Sequence, residues 1–126
     1  MTPRAPVEPW PAGWRIEDAD DWWSRTRGLL GTRSIAPGHG LWLPVRSVHT
    51  VGMRYPLDLV WLDRHGAVLR VDEHVGPGRV RSCRAADGGV VETAAGSGRD
   101  LARGLRARLD ADALRTCDSH ETMGTW

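Results

Sequence analysis

His49, Met53, Tyr55 and Asp58 fall inside one short stretch, SVHTVGMRYPLD at 47–58, between two apolar runs that carry Trp42 and Trp61. A histidine exchanges protons near neutral pH, and a neighbouring aspartate can fix its tautomer, so His49 with Asp58 is a candidate catalytic pair. The same residues also read as architecture: Trp42, Met53 and Trp61 as core, His49 as a hydrogen-bonded core histidine, Asp58 as the anchor of a turn. In a strand, side chains alternate between faces, which puts His49, Val51 and Met53 on one side and Val48, Thr50 and Gly52 on the other.

Several chemistries are excluded by what the chain lacks. All 17 basic side chains are arginine, so Schiff-base catalysis, a phosphate-binding lysine and a lysine general base are absent. A nucleophile elbow would read Gly-x-Ser-x-Gly, and only GSG at 96–98 is present, without a strand-to-helix signature. Cys83 sits in RSCRA, expected to be a loop, and reads as an incidental or buried thiol. His39, His49, His65 and His74 lie 10, 16 and 9 residues apart, none at helical spacing, so no metal is expected. The glycines form no dinucleotide or phosphate fingerprint, and no cofactor is expected.

Seven tryptophans and no phenylalanine remain to be explained. Indole offers a broad apolar wall with one donor, which suits a small-molecule pocket. Trp10, Trp14, Trp42, Thr50, Val51, Met53, Tyr55 and Trp61 are therefore the expected substrate-binding residues, around His49 and Asp58. A pocket without lysine, metal or nucleophile would act by holding a flexible reactant in a reactive conformer, aided by a few hydrogen bonds. That is the chemistry of a cofactor-independent cyclase acting on an apolar substrate. The alternatives are a non-catalytic module binding a small molecule or peptide, and a small hydrolase or metal-dependent enzyme using the histidines.

These residues need a scaffold, and 126 residues make one domain with its own core. A net charge of +1 with interspersed signs argues against nucleic acid as a partner. No signal peptide or membrane-spanning run is evident, and two distant cysteines signal no disulfide framework, so a cytoplasmic protein is expected, with self-association left open. The arginine, alanine and glycine usage suggests a high-GC, actinobacterial genome. Residues 1–13 are a Pro-rich arm. Residues 16–30 carry early acids, late arginines and a following Gly31, which predicts an amphipathic helix. Short strands follow, with LDLVWL and AVLRVDEHV joined through DRHG as a hairpin, and a turn at ADGG. Leu101, Leu105 and Leu109 predict a C-terminal helix, and 110–126 a polar tail.

The order RTRGLLG, VHTVGMRYPLDLVWLDRHGAVLRV, VVETAAG resembles the bacterial and archaeal family known as domain of unknown function 192. Arg25, Gly28 and Leu29, His49 with Thr50, Gly52 and Met53, Pro56 to Asp58, Asp63 with Gly66, and Glu92 with Gly96 fall in its motif places, over roughly residues 22–96. The resemblance implies an α+β fold: a small, mostly antiparallel sheet curled into a barrel-like form, with a helix packed on it. It also implies a pericyclase-like activity, because some actinobacterial look-alikes are associated with cycloaddition on macrocyclic polyketides. The chain departs from the family near its C-terminus, where GSGRDLARGLRARLDADALR replaces a Gly-rich strand, and at Val51, where an aromatic is usual.

Overall fold

The computed structural model describes residues 4–18, 35–50 and 55–123, with only the backbone for 116–123. It holds seven strands, β1 (Arg15–Asp18), β2 (His39–Leu43), β3 (Ser47–His49), β4 (Leu57–Leu62), β5 (Val68–Val75), β6 (Val80–Ser82) and β7 (Gly89–Ala94), followed by one helix, α1 (Gly98–Met123). Five strands form a sheet in the order β1-β2-β7-β4-β5, and β3 pairs with β6 in a separate two-stranded sheet. Among the described strands only β1 runs parallel to its neighbour. The other pairings are antiparallel.

The class is therefore α+β, as expected, but the sheet stays open instead of closing into a barrel. The predicted N-terminal helix is also corrected where it is visible. Ile16, Glu17 and Asp18 belong to β1, each opposite a residue of β2, and 19–30 lie outside the described residues. Acids early in a segment favour a helix only locally, and pairing with β2 overrides that preference. The C-terminal tail is corrected too. Residues 110–123 continue α1, so much of what reads as polar tail is helix.

The central sheet is covered on both sides, which is why LDLVWL is apolar on both faces except at Asp58 and all six residues of β4 are buried. On one side Val60, Leu62, Val91 and Trp42 meet Leu101 and Leu105 of α1, with Trp10, Trp14 and Ala5 packed at the edge. Val7 joins this core, and Arg108 donates to the Glu8 carbonyl at 2.9 Å, so the Pro-rich arm folds back onto the domain. On the other side Leu59, Trp61, Val75 and Val90 meet Val48 of β3 and Ala86, with Leu43 and Cys83 alongside.

The β4–β5 hairpin turns at 63–66 as predicted. Asp63 Oδ1 accepts the amides of His65 at 2.8 Å and Ala67 at 2.9 Å. Gly66 has φ +85°, and a Cβ there would stand 2.6 Å from Val7, so the turn needs glycine both for its backbone and for contact with the arm. No helix among the described residues is long and apolar enough to cross a membrane.

Candidate functional site

Register decides which of the predicted site residues share a surface. Leu41, Glu92 and Leu59 are direct neighbours across β2, β7 and β4, and Trp42, Val91 and Val60 form the next row. Adjacent rows point to opposite faces. Trp61, which follows Val60, packs in the core beneath β3, whereas Trp42 packs beneath α1 with Trp10 and Trp14. The four tryptophans thus divide between two sides of the sheet and do not wall a single pocket.

The indole nitrogens of Trp42 and Trp61 are also committed. Trp42 Nε1 donates to the Gly88 carbonyl at 2.9 Å. Trp61 Nε1 donates to Asp72 Oδ2 at 3.0 Å, the oxygen that also takes Arg70 at 3.0 Å, while the Arg70 guanidinium stands 5.6 Å from the Trp61 ring centre. Both rings are buried, at 3 % and 0 % exposure. They act as hydrogen-bonded core, the architectural reading of the sequence.

His49 and Asp58 do not meet. In β3 the buried residue is Val48, and His49 points outward beside Val80, which is 62 % exposed. Over 47–50 the alternation is as predicted, but its inward face is the one with Val48 and Thr50. Asp58 is fully buried on the α1 side of the sheet. Its Oδ1 accepts the His74 amide at 2.8 Å, and its Oδ2 accepts the amides of Gly96 and Gly98, both at 2.9 Å. This carboxylate closes the N-terminus of α1 and holds β5 where its register slips by a residue, with His74 at φ +51°. It is a positioning group with its acceptors occupied, and it does not orient His49.

Thr50 is likewise structural. Buried at 1 %, its hydroxyl donates to Gly76 O at 2.7 Å and accepts from the Arg79 amide at 2.9 Å, tying β3 to the loop before β6. Tyr55 is 46 % exposed. Val51 and Met53 lie outside the described residues. Among the described residues no group of three or more His, Cys, Asp or Glu is placed to hold a metal ion.

The residue the site reading passed over is Glu92, noted only as a motif match. It occupies the middle of β7, with Leu41 and Leu59 directly opposite on the flanking strands and Val90 and Ala94 two positions away along its own. All four share its face, so its carboxyl projects into apolar surroundings. Burial raises its pKa from 4.5 to about 7. Glu92 retains partial exposure, whereas Leu41, Leu59 and Val90 are buried. The sequence signal was an acid directly after two valines in VVET.

A small α+β domain with a doubly covered sheet and one acid set into its apolar face is what these elements define. The chain belongs to the DUF192 family, described as an uncharacterized ACR, whose model matches residues 8–108. Two crystal structures share the fold. A candidate transcription regulator from Sinorhizobium meliloti 1021 is 24 % identical, with a TM-score of 0.53, over 73 % of this chain and 81 % of that one. A protein of unknown function from Novosphingobium aromaticivorans DSM 12444 is 15 % identical, with a TM-score of 0.55, over 70 % of this chain and 68 % of that one. No curated protein matches significantly.

Proposed function

We propose that the chain binds an apolar, carbonyl-bearing small molecule against the Glu92 face of the sheet and cyclises it without a cofactor. The observation that carries this reading is the Glu92 carboxyl, raised to about 7 by apolar surroundings. A carboxyl that holds its proton up to about pH 7 can donate a hydrogen bond, and in a water-poor site that bond withdraws electron density from a substrate carbonyl. A polyene conjugated to that carbonyl becomes a better cycloaddition partner. On this reading the acid is Glu92 and not His49 or Asp58.

A second reading, a binding module without turnover, is favoured by one observation. The two other candidate acid–base groups do not converge on Glu92, since His49 faces outward and Asp58 is engaged by three amides. Incubation with a linear polyene ketone separates the readings. The cyclase reading expects cyclised product without added cofactor, at a rate that falls as pH rises through about 7 and is abolished in Glu92→Leu. Glu92→Gln should retain a reduced rate without that pH dependence. Binding without conversion would leave the module, and neither binding nor conversion would overturn both.

A further inference from the structure

Away from Glu92, on the α1 side of the sheet, an open groove of about 540 Å³ runs between β5 and the first turns of α1. Its apolar lining is Val71 with Ala102 and Ala107, and its rim carries Arg99, Arg103 and Arg106. Positions 99, 103 and 106 recur at helical spacing, so the three arginines stand in one stripe. We propose that this groove binds an amphipathic anion, a phosphate or carboxylate head on a short hydrocarbon chain, with the head on Arg103 and Arg106.

The arginines are not equally free. Arg99 is held by Glu73 of β5 at 2.7 Å, a bridge across the groove. Arg103 has only a 3.7 Å contact with Asp100 and is 80 % exposed, and Arg106 has no ion pair among the described residues. Asp110 is the other acid lining the groove. With Glu73 committed to Arg99, two available guanidiniums face one carboxylate, and guanidinium forks suit phosphate and carboxylate oxygens. The alanines leave room where longer side chains would fill the floor, so a hydrocarbon has a place to lie.

One end of the groove is fixed by the Asp58 carboxylate, which joins the His74 amide of β5 to the Gly98 amide of α1. A Cβ at Gly98 would stand 2.8 Å from Asp58 Cβ and 3.1 Å from Val71 Cγ1, so glycine lets the helix begin this close to the strand. The site is thus framed before any ligand arrives, which limits the ordering cost of binding.

Titration calorimetry with octyl phosphate, inorganic phosphate and octyltrimethylammonium tests the proposal. Octyl phosphate should bind at least about tenfold more tightly than inorganic phosphate, and the cation should not bind, because head and chain each contribute. The Arg103→Gln/Arg106→Gln double variant should weaken octyl phosphate by about tenfold or more, while Arg115→Gln, further along α1, should not. Methyl NMR should place the response at Val71, Ala102 and Ala107. Equal affinity of octyl and inorganic phosphate, an unchanged double variant, or methyl shifts elsewhere would each overturn it.

Discussion

Glu92→Gln should change how the stability of this domain depends on pH. Burial moves the Glu92 carboxyl from 4.5 to about 7 in the folded chain. At about 1.4 kcal/mol per pH unit, that displacement corresponds to about 3.5 kcal/mol, and residual exposure of the residue brings the expectation to about 2–3 kcal/mol. Below pH 4.5 both folded and unfolded chains hold the proton, and the folded state carries no ionisation penalty. Between 4.5 and about 7 the unfolded chain ionises first, so stability falls as pH rises and levels off above the folded value. Glutamine has similar shape and never ionises. Denaturant unfolding of both proteins from pH 4.5 to 8 should show the variant gaining about 2–3 kcal/mol over the wild type along that series. A difference constant to within about 0.5 kcal/mol across the range would refute the claim that the carboxyl is desolvated.

Two other perturbations follow from the hydrogen bonding. Asp58→Ala strands three amides that the carboxylate now satisfies and should cost about 3–5 kcal/mol in denaturant unfolding, whereas a loss below about 1 kcal/mol would contradict its role at the start of α1. Thr50→Val removes the hydroxyl between Gly76 and Arg79 and should cost about 1–2 kcal/mol, with faster amide exchange at Arg79 as the local readout.

What the sequence disclosed of the fold tracks local physics. The Asp63-to-Gly66 turn was legible because aspartate and glycine each satisfy a local backbone requirement there, and LDLVWL was legible as one arm of its hairpin. The start of α1 was legible through Leu101 and Leu105, both buried. The β1 segment was not, because its partner is β2, more than twenty residues away, and local acids point to a helix. The site suffered from the same limit. Alternation puts Val48 and Thr50 on the face opposite His49, but only tertiary packing decides which face turns inward. Trp42 and Trp61 look equivalent as sequence, yet the register through Val91 and Val60 sends them to opposite faces. Asp58 sits beside a histidine-bearing strand in sequence, while its amide partners come from β5 and from the segment entering α1. Glu92 needed its neighbours Leu41 and Leu59, from two other strands, before its acid had a meaning.

The central claim is that Glu92 and the apolar residues around it receive a carbonyl-bearing hydrocarbon. Selective methyl and carboxyl labelling, titrated with a linear polyene ketone at pH 6, tests it most directly. The Leu41 and Leu59 methyls and the Glu92 carboxyl should respond together with one affinity, and Glu92→Leu should remove the carbonyl-dependent part of it. Saturable binding with those methyls and that carboxyl unmoved would overturn the assignment.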